Sequence, residues 1–270
     1  MRISVLVTTY NRPRALARVL HALQEQTQLP AEVVVADDGS GQDTAALIEQ
    51  FRQRFPTPLI HAWQPDEGFR AGAVRNLAAS KASGDWLHFL DGDCVPQMSF
   101  VERLVRLAEP GTMLAGDRIM LSESLTRQVE NDASPIHRWT TTQWREAQRH
   151  GGINRMLPLR HWPFRLGRGL RSRDWRTFRT ANAGISRQDF IAVNGFECDL
   201  KGWGFEDSEF AVRALRAGCR IRSARLSLGV FHLWHKPESR DAAQKNQALL
   251  EQAMRSTSVK ARDGLAQTAV

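Results

Sequence analysis

The sequence predicts an α/β fold in which a mostly parallel sheet is flanked by helices, and three observations predict it. Short apolar runs alternate with helix-like patterns over the first hundred residues, which is typical of βαβ units. Polar residues directly follow several of these runs, as in open α/β sheets that bind a ligand beyond the carboxyl ends of their strands. The 270 residues are 42% hydrophobic and 24% charged, a composition that suits a sizeable core and excludes a disordered chain.

Four apolar runs predict the first four strands, at residues 3–9, 32–36, 59–62 and 86–90. The first helix is expected to begin after Asn11 as its N-cap, with Pro13 in its first turn and apolar residues at helical spacing on one face. Three more helices are predicted at residues 43–55, 71–82 and 99–108. Together these elements predict a parallel sheet covered by helices.

The pattern changes after an apolar stretch around residues 113–121. Residues 122–180 are rich in Arg and Trp and have no sustained period, so we expect an irregular insertion there. Order returns at residues 180–185, and two helices and a strand are predicted beyond them, at residues 187–193, 206–217 and 226–231. The chain is therefore predicted to be one domain, residues 1–270, with a first half (1–110), a second half (111–237) that includes the insertion, and a helical tail (238–270).

The positive charge of the chain comes from one segment. Lys and Arg number 37 against 29 Asp and Glu, which gives a formal charge of +8. Residues 138–187 hold twelve Arg and two acids, a net charge of +10, so the rest of the chain carries −2. An evenly basic protein is excluded, and an anionic partner is expected at this segment.

Three predicted strand ends carry polar residues. They are Thr8-Thr9-Tyr10-Asn11, Asp37-Asp38-Gly39-Ser40 and Asp91-Gly92-Asp93. Two carboxylates at one strand end repel each other unless a divalent cation or hydroxyl donors share the site, so a nucleotide-phosphate site with a metal is expected here. The alternative for Asp38-Gly39 is a simple turn.

Six motifs resemble those of known enzymes. In chain order they are Thr8-Thr9-Tyr10-Asn11-Arg12, Val33-Val34-Val35-Ala36-Asp37-Asp38-Gly39-Ser40, Gly72-Ala73-Val74-Arg75-Asn76, Asp91-Gly92-Asp93, Asn194-Gly195-Phe196 and Gly202-Trp203-Gly204-Phe205-Glu206-Asp207. The first four resemble the nucleotide-sugar half of family-2 glycosyltransferases with the GT-A fold. The last two resemble the acceptor motif of β-1,4-galactosyltransferases and of chondroitin-polymerase-type bacterial enzymes. The resemblance covers most of residues 3–236 and implies a Rossmann-like GT-A domain.

On the donor side, the resemblance implies that Thr8, Tyr10 and Asp37 hold the nucleobase and ribose of a UDP-sugar. It places Arg75 near them or near the diphosphate, and Asp91 against the ribose or the donor sugar.

The resemblance also implies a divalent metal, Mn²⁺ or Mg²⁺, on Asp93. Such an ion stabilises the negative charge that develops on a departing sugar diphosphate. His232 and His235 match the position of a Met and a His that hold metal in the galactosyltransferases. The alternative for both is that they are polar residues of a half-buried strand.

On the acceptor side, Asp207 is the implied base. Inverting transfer needs a carboxylate that takes the proton of the attacking hydroxyl. Glu206 would hydrogen-bond a sugar and Trp203 would stack on one. An acidic helix start and a plain core tryptophan are the alternatives.

These features predict a metal-dependent inverting glycosyltransferase that moves sugar from UDP to a glycan or glycolipid hydroxyl, in surface polysaccharide or lipopolysaccharide synthesis. A nucleotidyltransferase is one alternative, although the Gly-rich, Lys-bearing loop expected after its first strand is missing from the sequence. A basic nucleic-acid-binding protein is the other.

For residues 138–187, an anionic membrane surface or an anionic acceptor is favoured over a solvated loop or nucleic acid. Three scattered cysteines, and no apolar run of ~20 residues, predict a cytoplasmic protein at most peripheral to the inner face of the membrane.

Overall fold

The computed structural model describes residues 1–131, 134–159, 172–237 and 239–268. Within them, the strands are β1 Ile3–Thr9, β2 Glu32–Asp37, β3 Leu59–Trp63, β4 Trp86–Asp91, β5 Cys94–Pro96, β6 Thr112–Ala115, β7 Asp117–Met120, β8 Asn182–Ser186, β9 Arg220–Ser223 and β10 Gly229–His232. The helices are α1 Pro13–Gln24, α2 Gln42–Arg52, α3 Ala71–Lys81, α4 Phe100–Leu107, α5 Glu123–Asn131, α6 Thr141–Arg149, α7 Arg187–Ala192, α8 Glu206–Arg216, α9 Ala243–Arg255 and α10 Leu265–Thr268.

The described strands form a main sheet of seven strands in the order β3-β2-β1-β4-β8-β6-β9. β1 to β4 run parallel, β8 runs antiparallel to both β4 and β6, and β9 is parallel to β6. The main sheet is therefore mostly parallel, and it takes strands from both halves of the chain. This confirms the predicted α/β sheet.

Both faces of the main sheet are covered, and alternate side chains of the same strand enter different cores. Val5 and Val7 of β1 pack with α1, α2 and α4, whereas Leu6 packs on the other face with α3, α7 and α8. A parallel strand buried on both sides reads as a continuous apolar run, which is why these strands could be recognised in the sequence.

A small sheet in the order β5-β10-β7 lies beside the main one. β10 pairs antiparallel with β5 and parallel with β7, so that His232 lies opposite Cys94 on one side and Met120 on the other. This pairing brings the end of β10 next to Asp93. The predicted strand at residues 226–231 was placed too early, and β9 was not predicted.

Asn11 is not the N-cap of α1, since Arg12 holds that position and makes no side-chain cap. Asn11 adopts a left-handed conformation with φ of 47°. Its side-chain oxygen accepts from the Gly41 N–H at 2.9 Å, and its own N–H donates to Ser40 Oγ at 2.8 Å. Asn11 therefore ties the loop after β1 to the loop after β2.

The insertion at residues 122–180 is more ordered than predicted, since α5 and α6 lie within it. α6 begins with a capping box between Thr140 and Gln143 and buries only one side chain, Trp144, whose ring stacks on Phe231 at 4.0 Å. One buried residue gives no periodic signal, so the sequence pattern could not reveal this helix. Residues 160–171, with Trp162 and four of the twelve arginines, lie outside the described residues.

Candidate active site

A cleft of about 590 Å³ opens at the carboxyl ends of β1 and β4 and extends to the first turn of α8. It is lined by all but one of the side chains predicted from the sequence, namely Thr8, Tyr10, Arg75, Asp91, Asp93, Trp203, Glu206, Asp207, His232 and His235. Sequence reasoning assigned no role to the other charged side chains that line it, which are Arg12, Asp38, Arg118, Arg179 and Arg240. The exception is Asp37. The cleft has the size of a small-molecule site.

Arg75 joins the two halves of the cleft. This side chain of α3 is 4% exposed. Its guanidinium pairs with Glu206 at 3.0 Å and with Asp91 at 3.5 Å, and its Nε donates to Thr8 Oγ1 at 3.3 Å. The structure thus brings together the strand-end motifs and the acidic start of α8, which lie more than a hundred residues apart.

Asp91 lies between this arginine and a second carboxylate. Burial raises the pKa of Asp91 to about 6, against the lowering effect of Arg75 and with a further increase from Asp93. Because the two carboxylates repel each other when both are ionised, the pair favours the binding of a cation or of hydroxyl donors beside it.

Asp207 lies in the first turn of α8, with its side chain 14% exposed. It accepts a hydrogen bond from Ser208 Oγ at 3.2 Å and lies 3.6 Å from the Arg179 guanidinium. Burial, with the negative charge of Glu206, raises the pKa of Asp207 to about 6. A carboxylate with such a pKa is a proton acceptor near neutral pH.

The turn before α8 has an unusual backbone. Gly202, Gly204 and Phe205 all have positive φ, at 78°, 108° and 72°. A left-handed phenylalanine costs free energy, and such outliers persist where the surrounding structure requires them. Here the turn sets the direction in which Glu206 and Asp207 enter the cleft.

The end of the cleft near the small sheet gathers one acid and two histidines. His232 Nε2 lies 3.6 Å from Asp93 Oδ1, and His235 Nε2 lies 3.4 Å from Asp93 Oδ2. Arg12, which the sequence analysis did not assign, donates to Asp93 Oδ2 at 2.7 Å.

These residues fit a divalent cation. Burial is the main reason that the pKa of His232 is lowered to about 4, so its imidazole is neutral near pH 7 and able to ligate. Its Nδ1 is buried and has no hydrogen-bond partner among the described residues. One carboxylate and two imidazoles form a donor set suited to Mn²⁺.

Cys94 is close enough to belong to this group, since its Sγ, a ligand atom of Asp93 and one of His232 lie within 4.8 Å of one another. Burial, and then the charges of Asp93 and Asp91, raise the pKa of the Cys94 thiol well above its usual value. Mg²⁺ and Mn²⁺ prefer oxygen ligands to sulfur, so Cys94 is better interpreted as a small apolar residue than as a ligand.

Tyr10 and Asp38 line the cleft just after the carboxyl ends of β1 and β2. Tyr10 is 48% exposed and donates to Asp66 at 2.8 Å. Asp38 lines the cleft and accepts from the Arg70 N–H at 2.7 Å. Asp37, predicted in this role, is instead fully buried: it accepts from the Ser40 N–H at 2.8 Å and pairs with His61 at 2.9 Å. A nucleobase role for Asp37 remains a prediction, and Asp38 is the acid that faces the cleft.

Trp203 lies at the mouth of the cleft and is 39% exposed, so it is not a core tryptophan. The Arg240 guanidinium lies over its ring at 5.3 Å from the centroid. An exposed indole at this place can offer a face to a sugar.

The arginines of the insertion are partly neutralised within the chain. Arg138 pairs with Glu25 at 2.6 Å and Arg155 with Asp117 at 2.8 Å. With Trp144 in the core, part of the Arg and Trp pattern serves packing, and its interpretation as an anionic surface remains a prediction. In the part of the chain that the structure describes, none of the helices combines the length and apolar content needed to span a bilayer.

Two family models match the sequence. Residues 4–186 match the model described as glycosyl transferase family 2, and residues 170–236 match the model described as the N-terminal domain of galactosyltransferase. The two matches overlap at β8 and together include every side chain of the cleft except Pro237 and Arg240.

Two curated relatives are 30% identical to the chain over the aligned residues. Chondroitin synthase of Pasteurella multocida (strain Pm70) is 30% identical over 228 residues, which cover 82% of this chain and 23% of that protein. A validoxylamine A glucosyltransferase of Streptomyces hygroscopicus subsp. limoneus is 30% identical over 243 residues, which cover 84% of this chain and 51% of that protein. The chain thus spans about a quarter of the length of the first relative and about half of the length of the second.

Among solved structures, GalNAc-T7 with UDP, GalNAc and Mn²⁺ matches with a TM-score of 0.64 and 16% identity, over 93% of this chain and 48% of that one. At this identity the likeness concerns the fold alone.

Proposed function

The chain belongs to glycosyl transferase family 2 and has the GT-A fold, and on that premise we propose that it transfers a sugar from a UDP-sugar to a hydroxyl group of a glycan or glycolipid with inversion at the anomeric carbon. The observation that carries the proposal is the Arg75 bridge between Asp91 and Glu206, because it joins a donor motif and an acceptor motif in one cleft. Cytoplasmic location, at most peripheral to the membrane, stays part of the proposal.

The side chains at the strand ends support the binding of a nucleotide diphosphate. Tyr10 and Asp38 offer an aromatic ring and an acceptor in the wall of the cleft, while Arg75 supplies a buried cation beside Asp91 and Glu206. A planar base and an anionic diphosphate require these two kinds of group.

Asp93, His232 and His235 would hold Mn²⁺ or Mg²⁺ where the cleft meets the small sheet. When bound, such an ion stabilises the charge on the diphosphate oxygens as a Lewis acid. GalNAc-T7, whose fold is similar, was solved with Mn²⁺ and UDP.

Asp207 supports the transfer step itself. The acceptor oxygen forms a bond to the anomeric carbon, the bond from that carbon to the diphosphate oxygen breaks, and UDP leaves with the electron pair. The proton of the acceptor hydroxyl passes to the Asp207 carboxylate. Glu206 stays paired with Arg75 and hydrogen-bonds a sugar, and Trp203 packs against the acceptor ring.

The relatives favour a saccharide acceptor. One carries the name of a polysaccharide synthase and the other that of a glucosyltransferase acting on validoxylamine A. A surface polysaccharide or lipopolysaccharide is proposed as the product; a small glycoside is the second candidate because of the latter relative.

Calorimetry with UDP and Mn²⁺, followed by a panel of UDP-sugars, tests the proposal. We expect UDP binding that depends on the metal and disappears with EDTA or in Asp93→Ala, and release of UDP from at least one sugar donor. UDP binding that is equal with and without EDTA would contradict the metal site. Metal-independent, strongly salt-sensitive RNA binding in place of UDP binding would favour the nucleic-acid alternative.

A further inference from the structure

Arg12 forms an ion pair with an oxygen of Asp93 that the proposed metal ion would need as a ligand. Its Nη1 donates to Asp93 Oδ2 at 2.7 Å, and His235 Nε2 faces the same oxygen at 3.4 Å. An ion held jointly by Asp93 and His235 would need Oδ2. A guanidinium and a divalent cation on one oxygen repel each other, so both cannot hold that position at full strength.

Arg12 also has a second acid within reach. Its Nη2 lies 3.3 Å from Glu130 Oε1 on α5, and the same nitrogen donates to the Trp234 carbonyl at 3.3 Å. Glu130 does not line the cleft among the described residues, and its side chain is 20% exposed. The guanidinium of Arg12, whose side chain is 30% exposed, therefore contacts one acid inside the cleft and one outside it.

From these contacts we infer that Arg12 is an exchangeable counter-ion: it neutralises Asp93 in the metal-free protein and moves to Glu130 when the divalent cation binds. The inference rests on the proposed metal site. Arg12 opposes metal binding, because Asp93 must give up an ion pair. Glu130 favours metal binding, because it receives the displaced guanidinium. The Trp234 carbonyl keeps one Arg12 contact on the segment that carries both histidines.

Two substitutions outside the metal ligands should therefore act in opposite directions. Arg12→Gln removes the competing cation and should raise Mn²⁺ affinity by about three- to tenfold, whereas Glu130→Gln removes the alternative partner and should lower it by a similar factor. Both factors are measured from the Kd of Mn²⁺, with the free ion followed by electron paramagnetic resonance, with and without saturating UDP.

The double variant separates an exchange from plain long-range electrostatics. If Glu130 acts by receiving Arg12, Glu130→Gln should change the Mn²⁺ affinity by no more than about twofold in the Arg12→Gln background. Additive effects in the double variant would overturn the inference. A lower affinity in Arg12→Gln would also overturn it, because Arg12 would then support the metal-bound carboxylate.

Matched controls exist on the same two helices. Arg14→Gln removes an equal charge from α1 together with a 3.0 Å contact to Asn131 of α5, and Glu123→Gln removes an exposed acid of α5 that pairs with Arg127. Both should leave the Mn²⁺ affinity within about twofold of the parent. Thermal unfolding of each variant shows that it is folded.

The variant Asp93→Asn distinguishes a failure of the proposed metal site from a failure of the exchange. Asp93→Asn should abolish Mn²⁺ binding; if it does not, the metal lies elsewhere and the proposed site is wrong. If Asp93→Asn abolishes binding but neither Arg12→Gln nor Glu130→Gln changes the affinity, only the exchange is wrong.

Discussion

The Asp207 carboxylate, held by Ser208 and faced by Arg179, is the group that the proposed chemistry uses to accept a proton. Asp207→Asn keeps its size and loses its basicity, so we expect UDP binding to persist while transfer falls by about 10²- to 10⁴-fold. Single-turnover transfer beside UDP calorimetry measures both. Asp199→Asn, which changes an acid outside the lined cleft, is the control. Transfer near the parent rate in Asp207→Asn would place the base elsewhere.

The raised pKa of Asp207 gives a distinct pH dependence. Because burial and Glu206 hold this pKa at about 6, the carboxylate takes up a proton as the pH falls through that value. We expect kcat/KM at pH 5 to be about tenfold lower than on the plateau at pH 7 and above, since activity requires the deprotonated form. UDP–Mn²⁺ binding measured at each pH separates this loss from protonation of the metal ligands. A profile that stays flat down to pH 5 would mean that the base titrates near the ordinary pKa of an aspartate.

At the scale of residues, most but not all of the side chains that line the cleft could be predicted from the sequence. Asp91, Asp93, Glu206 and Asp207 were found because each follows or begins a recognisable element. The sequence analysis assigned Asp37 to the donor, whereas Asp38 is the acid that lines the cleft; a strand whose residues are all buried gives no pattern that shows to which side an acid at its end points.

The missed arginines have a different cause. Arg118 belongs to β7, which reaches the cleft only because it pairs with β10, and Arg12 reaches it across 81 residues to Asp93. Such non-local pairings leave no local pattern in a single sequence.

At the scale of elements, α8 is anchored by an ion pair inside the protein. Arg213 and Glu209 form two hydrogen bonds, at 2.5 and 2.7 Å, and both residues are under 5% exposed. Arg213 also donates to the carbonyls of Val193 and Gly195. The helix that carries Asp207 is therefore fixed to the Asn194-Gly195 turn, and this explains why the two acceptor motifs occur together.

Removing one partner of that pair leaves the other charge buried without compensation. Glu209→Gln is expected to lower the free energy of unfolding by about 3 kcal/mol. Chemical denaturation measures the loss, and Glu251→Gln, on exposed α9, should change stability by less than about 0.5 kcal/mol. Equal stability of the two variants would show that the pair contributes little.

At the scale of the whole molecule, UDP should stabilise the fold only when Mn²⁺ is also present. UDP with Mn²⁺ at about 100 times Kd adds about 2.7 kcal/mol, which corresponds to a rise in Tm of about 5 °C for a chain of this size. We expect no rise from UDP in EDTA, nor in Asp93→Ala with both ligands. A rise that survives EDTA would show that UDP binds without the ion.

The antiparallel pairing of β8 with β4 has a consequence for how the chain is made. β4 is buried on both faces up to Leu90 and is apolar there except for His88, and the strand that covers its outer edge emerges from the ribosome roughly 90 residues later. At about 5–20 residues per second, that edge stays open for about 5–20 s, a template for pairing with another nascent chain. A fragment that ends before Asn182 would keep the edge open permanently, so we expect it to be recovered as aggregate rather than as a separately folded first half.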